Sequence, residues 1–257
     1  MIIPQLKGGL GNQLFQISTA AAHAKRMDTE MSINYSRPFS CIQGKHPTTY
    51  QHTLYQKISN TNSIPSIIYN EPKFSWDELP EKGDMIIDGY FQSDKYFKSY
   101  REYIKSIFTF DFPKAKNKIS SINNNKPTVI MHIRRGDYLT YDRVYEKCSA
   151  SYYLEALDYI KEVYCDDFNL LACTDDWQTV REEFKHFPSF IEVNGRNELE
   201  DLYILSQGNY IIGSNSTFAW WGAYLGTDST NIFPAAWFGP DGPKDVEDLV
   251  PEEWIRL

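Results

Sequence analysis

The second half of the chain alternates short apolar runs with segments of helical spacing, and this rhythm constrains the fold more than any other feature. The apolar runs are Thr128–Ile133, Phe168–Ala172, Phe190–Val193, Tyr210–Ile212 and Asn231–Phe233. Between them, Ser151–Tyr164, Trp177–Phe184, Asn197–Ser206 and Thr217–Leu225 read as helices. Five short strands alternating with helices predict an α/β domain with a parallel, doubly wound sheet. Such sheets hold their ligands at the carboxyl ends of the strands, so that is where chemistry is sought.

The first half is less regular. Ile2–Leu6 reads as a buried strand, Asn12–Arg26 as a helix, Met31–Tyr35 as an alternating strand, Met85–Asp88 as a strand and Asp94–Phe108 as a helix. Residues 36–82 show little periodicity and many turn formers. The polar stretch Asn117–Lys126 reads as a linker, because Pro127 discourages helix just before it. Domains are therefore expected over residues 1–120 and 126–257.

The net charge is −8 and the pI is near 5.2. An acidic balance excludes a general nucleic-acid binder, whose affinity rests on cations that neutralise phosphates. It also means that a phosphate-bearing ligand needs a local positive site. Cys41, Cys148, Cys165 and Cys173 form no CxxC pair, which argues against zinc and for reduced thiols. Met1–Gln5 has no signal-peptide pattern, and no apolar run approaches the length of a membrane span. A cytoplasmic protein is expected, with any membrane contact peripheral.

Three strand ends carry unusual residues. The first is the turn Gly8-Gly9-Leu10-Gly11-Asn12, between a strand and a helix. Glycines there let the backbone approach a ligand, although a bare turn reads the same way. A dinucleotide fingerprint is incomplete, since Leu14 stands at its third glycine position.

The second is His132-Ile133-Arg134-Arg135-Gly136-Asp137. Strand alternation puts His132 and Arg134 on one face. Paired arginines suit phosphate, because guanidinium binds its oxygens in a bidentate way and stays charged. The alternative is a structural Arg–Asp ion pair. Asp137 either orients an arginine or serves as a base.

The third is the hydroxyl-rich loop Gly213–Thr217. Ser216 and Thr217 either cap the helix that follows or join its N–H groups in holding phosphate. Trp220 and Trp221 read as core. Asp175 and Asp176 either bind a ribose or cap the helix that Trp177 begins. Asp201 either accepts from a guanine edge or lies on a solvated helix face. A lone acidic pair is weak evidence for metal.

Taken together, Gly8–Gln16 (GGLGNQLFQ), His132–Tyr138 (HIRRGDY), Cys148–Tyr153 (CSASYY) and Asp201–Leu225 resemble the α-1,2-fucosyltransferases of glycosyltransferase family 11. They resemble more distantly the protein O-fucosyltransferases and core α-1,6-fucosyltransferases. The resemblance implies a GT-B-like fold, with two Rossmann-like domains and the donor in the cleft between them. It implies GDP-fucose as donor, no metal or other cofactor, and inversion at the anomeric carbon. The expected acceptor is the 2-hydroxyl of a terminal β-galactoside, in glycan or surface polysaccharide synthesis.

Carried onto this chain, Arg134 contacts the β-phosphate and Arg135 supports it. His132 faces the nucleotide, Gly9 binds the donor, and Asn12 lies near the reacting centre. Asp175 binds the donor, Asp201 reads the guanine, and Ser216 with Thr217 holds the phosphates. Asp137 is the candidate base. The rival readings are a related transferase with another GDP-sugar or linkage, and a non-catalytic nucleotide- or sugar-binding module.

Overall fold

The computed structural model describes residues 1–40, 44–122, 124–139, 141 and 143–257, the side chains of Asp137 and Leu139 excepted. The chain divides into two compact units. The first comprises Met1–Phe110 with Asp245–Pro251, and the second Asp111–Lys244 with Glu252–Leu257.

The first unit is built on three parallel strands, β1 (Ile2–Pro4), β2 (Ile68–Asn70) and β3 (Met85–Asp88), in the order β1-β3-β2. Ile3 faces Ile86, which in turn faces Ile68. Helix α1 (Leu10–Arg26) follows β1, and Leu14, Phe15, Ile17, Ala20 and Ala21 are fully buried on it.

Met31–Tyr35 forms no strand. It makes only isolated bridges, Met31 to Ile2 and Ile33 to Asn60. The physical reason is Pro4. Ile2 donates to Glu30 O at 2.8 Å on that side of β1, and alternation makes Pro4 the next position to face the same way. Proline has no N–H, so the ladder stops.

The helix expected over Asp94–Phe108 is broken into 3₁₀ turns at Asp94–Tyr96 and Lys98–Tyr100, followed by α2 (Arg101–Ile107). Phe97 interrupts it at φ −141°, ψ 0°, with its ring buried 6.0 Å from Phe15.

The second unit carries six parallel strands in the order β6-β5-β4-β7-β8-β9. They are β4 (Thr128–Ile133), β5 (Asn169–Thr174), β6 (Ile191–Glu192), β7 (Tyr210–Ile212), β8 (Thr230–Phe233) and β9 (Ile255–Arg256). Helices α3 (Pro113–Ile122), α4 (Ala150–Val163), α5 (Trp177–Glu183), α6 (Glu198–Leu205) and α7 (Thr217–Leu225) alternate with them. The α/β class and the parallel sheet of the second half are as expected. Trp220 and Trp221 are core, fully buried and packed on Tyr224.

Two boundaries differ from 1–120 and 126–257. The stretch read as a linker is mostly helix α3, opened by Pro113 at its first position, where a missing N–H costs nothing. Its Ala115 is buried, and the helix packs on α6 within the second unit. The segment 245–251 returns to the first unit, where Asp245 accepts from the N–H groups of Phe74 and Ser75 at 2.8 and 3.1 Å.

Cys148, Cys165 and Cys173 are free thiols, and Cys41 lies outside the described residues. Among the described residues no helix is long and apolar enough to cross a membrane.

Candidate active site

Register brings three strand ends of the second unit level. His132 pairs with Cys173 and Ile133 with Thr174, while Met131 pairs with Ile212 across β4–β7. Arg134, Asp175 and the loop Gly213–Ser216 therefore emerge along one edge, the usual ligand edge of a parallel sheet.

Arg134 is a quarter exposed, and its Nη1 lies 2.8 Å from Asp175 Oδ2. Its guanidinium also sits 5.3 Å from the Tyr138 ring centre. Tyr138 is fixed in turn, its hydroxyl donating to Asn215 O at 2.8 Å and its ring stacked on Tyr145 at 4.2 Å. Asp175 Oδ1 accepts the backbone N–H of Arg135 at 2.9 Å. Gly136 stands at φ +26°, and a Cβ there would come within 2.4 Å of Asp175 Oδ2, so the turn needs glycine.

Asp175 does not cap α5, whose cap is Asp176. It holds Arg134, which is the orienting task offered to Asp137. The Asp137 side chain lies outside the described residues. Asp176 caps α5, accepting from Thr179 N at 3.1 Å and Thr179 Oγ1 at 2.6 Å.

Arg135 is not the second half of a clamp. Its side chain is fully buried and bonded to three protein acceptors: Glu183 Oε2 at 2.7 Å, Arg134 O at 2.7 Å and Cys148 O at 3.0 Å. The face it serves is the protein interior. Glu183 is the partner that sequence reasoning missed. It lies 48 residues away on another helix, and no local pattern announces it.

His132 is buried, with Nδ1 2.8 Å from Ser214 Oγ. Tyr153 donates to its carbonyl at 2.8 Å, and Phe218 at the start of α7 lies 5.7 Å from its ring. Burial holds the imidazole well below its usual range; Asp175 opposes this and Arg134 adds to it. The ring is therefore neutral near neutral pH. A histidine depressed in the fold contributes stability above its unfolded value and loses it as pH falls below about 6.5. Between about pH 7 and about pH 5 the urea midpoint of wild type is expected to fall relative to that of His132→Asn, since only wild type carries this linkage. Parallel curves for the two proteins would contradict this.

The loop before α7 is locked by buried bonds. Tyr152 donates to Gly213 O at 2.7 Å, and Asn215 Nδ2 donates to Trp237 O at 2.7 Å and Glu146 O at 2.5 Å. Ser216 occupies the cap position at φ −131°, ψ 127°, yet its side chain makes no capping bond, and Thr217 opens the helix half-buried. The cap reading is thus unfulfilled by the side chain of Ser216, and the first-turn N–H groups of α7 keep their partial positive charge.

Asp201 is half-buried, not on a solvated face. It accepts the N–H of Gly195 and interacts with the Cys173 thiol, and burial pushes its carboxyl up.

In the first unit, Gly8 stands at φ +79°, and a Cβ on it would fall 2.4 Å from Asn12 Nδ2. Gln16 braces this turn through both backbone groups of Lys7, at 2.9 and 3.0 Å. Gln13 donates to Gly8 O at 3.2 Å and Lys45 O at 2.9 Å. Gly9 precedes α1 in extended backbone, and its side-chain direction is open. The two glutamines of GNQLFQ thus shape the glycine turn, while Asn12 accepts from Gln92 at 2.9 Å. Among the described residues, no group of three His, Cys, Asp or Glu is placed to hold a metal ion.

The family described as glycosyl transferase family 11 matches residues 1–257. The chain belongs to this family. It is a glycosyltransferase of the fucosyltransferase type, as the motifs at its strand ends imply. An alpha-1,2-colitosyltransferase of Escherichia coli is 24% identical over 288 residues, covering 100% of this chain and 99% of that protein. A galactoside 2-alpha-L-fucosyltransferase of Caenorhabditis elegans is 25% identical over 287 residues, covering 100% of this chain and 79% of that protein. Among solved structures, NodZ alpha-1,6-fucosyltransferase soaked with GDP-fucose superposes with a TM-score of 0.53 at 12% identity, over 88% of this chain and 92% of that one. That likeness extends to the fold, which in this family 11 chain is α/β and GT-B-like, with parallel sheets flanked by helices.

Proposed function

We propose that this family 11 chain moves fucose from GDP-fucose to the 2-hydroxyl of a terminal β-galactoside, with inversion and without a metal. The observation that carries the reading is Arg134, fixed by Asp175 at the ligand edge of a sheet whose neighbouring loop opens α7 without a side-chain cap at Ser216. In an acidic chain this is a local positive site suited to a diphosphate. The galactoside specificity of the C. elegans relative supports the acceptor, and NodZ, which shares the fold, was soaked with the same donor.

In this reading the acceptor oxygen attacks the anomeric carbon of fucose. The bond from that carbon to the β-phosphate oxygen breaks, and GDP departs with the electron pair. Arg134 and the α7 amides, with Ser216 and Thr217, stabilise the charge growing on the β-phosphate. His132, neutral and buried, backs the nucleotide side. Arg135 and Asp175 act through Arg134 as positioning residues. Asp201 reads the guanine, Gly9 lets the backbone approach the donor, Asn12 lies near the reacting centre, and Asp137 takes the acceptor proton as base.

The test is turnover of GDP-fucose with lactose in excess EDTA. A fucosylated lactose carrying the sugar on the galactose 2-hydroxyl is the expected product. GDP binding without transfer to any β-galactoside would sink the acceptor assignment, and absence of GDP binding would sink the donor. A second reading, transfer of another sugar from its GDP donor, is favoured by the relative named for colitose. Competition between the two donors separates them.

A further inference from the structure

The first unit holds a cluster that the transfer reading leaves unused, at the carboxyl edge of its sheet. Glu71 directly follows β2, and its carboxylate accepts the backbone N–H of Tyr90 at 2.6 Å and of Phe91 at 2.9 Å. Both belong to the turn that leaves β3. Phe91 stands at φ +51° with its ring fully buried, a backbone state that bulky residues avoid unless their surroundings impose it. Gly89 leaves the room Glu71 needs, since a Cβ there would come within 2.3 Å of Glu71 Cβ.

The next residue is Gln92. It is only 7% exposed, its amide donates to Asn12 Oδ1 at 2.9 Å, and its own Oε1 meets no hydrogen-bond partner among the described residues. Asn12 in turn fills the space over Gly8. A continuous bonded path therefore runs from Glu71 through the turn and Gln92 to the glycine loop.

We propose that Glu71 is a positioning residue for sugar transfer: its carboxylate fixes the Gly89–Phe91 turn and, through it, the Gln92–Asn12 pair at the reacting centre. The inference rests on the reading that Asn12 serves a GDP-sugar transferase.

A carboxylate is a costly choice for holding two neutral amides. Burial pushes Glu71 up to about 7; the Tyr90 and Phe91 N–H bonds and Lys7 oppose the rise, and Asp245 adds to it. Lys7 is itself engaged by Asp88 at 2.7 Å and lies 5.1 Å from the Tyr90 ring centre. The remaining ionisable neighbours are Tyr69, Asp77 and Tyr96, and burial keeps the Tyr69 and Tyr96 phenols protonated. Glu71 is thus the group of this cluster that titrates near neutrality. A proton there takes away one of the two acceptors of the turn.

The sign matters. Glu71 titrates higher folded than unfolded, so the fold gains stability as pH falls through about 7. The turn loses an acceptor over the same interval. Stability and turnover are therefore coupled to Glu71 in opposite directions, which a carboxylate serving only the fold would not produce.

The experiment measures kcat, lactose KM and melting temperature for wild type, Glu71→Gln and Gln92→Ala between about pH 6 and about pH 8.5, with GDP affinity by calorimetry. Wild-type transfer is expected to fall about tenfold on acidification, the value of one charge-assisted bond. Glu71→Gln should be about tenfold slower at the upper pH and flat across the range, with GDP affinity unchanged. Gln92→Ala should show the same slowing and, with the last link to Asn12 removed, a pH slope flattened as in Glu71→Gln. Because His132 and Asp201 are common to all three proteins, the difference between wild type and Glu71→Gln isolates Glu71. Wild-type turnover and pH slope in Glu71→Gln would overturn the inference and leave the transferase reading standing. Should Glu71→Gln not fold, undiminished transfer in Gln92→Ala overturns it equally. A wild type that binds GDP and transfers no fucose overturns the transferase reading, and this inference with it.

Discussion

Arg134→Ala is expected to slow fucose transfer by about two to three orders of magnitude, with the melting temperature close to wild type. The size follows from removing one preorganised donor aimed at charge that develops in the transition state, worth about 3–4 kcal/mol. The separation from stability follows from position. Arg134 is a quarter exposed at the sheet edge and pairs with an equally accessible Asp175, and such pairs add little to folding. Arg134→Lys should recover only part of the loss, since an ammonium cannot contact Asp175 and a phosphate through one planar fork. Asp175→Asn should cost less than Arg134→Ala, because the cation survives while its orientation slackens. Steady-state kinetics with GDP-fucose and lactose, beside thermal melts, give both readouts. An Arg134→Ala enzyme within fivefold of wild type would remove Arg134 from the phosphate site.

Much of this was legible in the sequence where local pattern and tertiary demand agree. Tyr210–Ile212 and Thr217–Leu225 have the predicted bounds, because an apolar run and a helix stripe are separated by Gly213–Ser216, which suits neither. Met31–Tyr35 has the alternation of a strand but cannot pair past Pro4, a fact held 27 residues upstream of Met31. Helix α3 looked like a linker because its polar surface is continuous, and only packing on α6 reveals the use of Ala115. Strand β2 escaped notice because it is an edge strand of three residues with Ile68 exposed.

The site follows the same logic. Alternation is enough to say that Arg134 and Arg135 point opposite ways. It does not say which one meets the interior, because Glu183, Cys148 and Asp175 arrive from elsewhere in the chain. The acids that matter, Asp175, Glu183 and Glu71, sit at element ends, and no spacing along the chain ties any of them to the group it holds.

Arg135→Ala should be the reverse of Arg134→Ala, with a loss of about 3–5 kcal/mol of stability, the order expected when a large buried side chain is truncated and two buried carbonyls lose their donor. The guanidinium is fully enclosed, and its truncation leaves Arg134 O and Cys148 O without their donor and a void beside Phe184. Glu183 suffers less, since it is a quarter exposed and keeps Lys147 at 2.5 Å. The damage is therefore mostly unsatisfied carbonyls and lost packing, not an orphaned charge. Arg135→Met separates the two, because it refills the volume and returns no hydrogen bond, so it should recover part of the loss. Arg135→Lys should remain well below wild type, as one ammonium cannot satisfy three acceptors set for a planar fork. Urea titrations of the three variants order these contributions. Turnover measured well below each melting point decides the role: if Arg135→Met folds and keeps most of its activity, Arg135 serves Arg134 by shaping the strand end. If it folds to wild-type stability and loses transfer as Arg134→Ala does, the buried guanidinium itself reaches the donor, and the assignment of Arg135 to the interior is wrong.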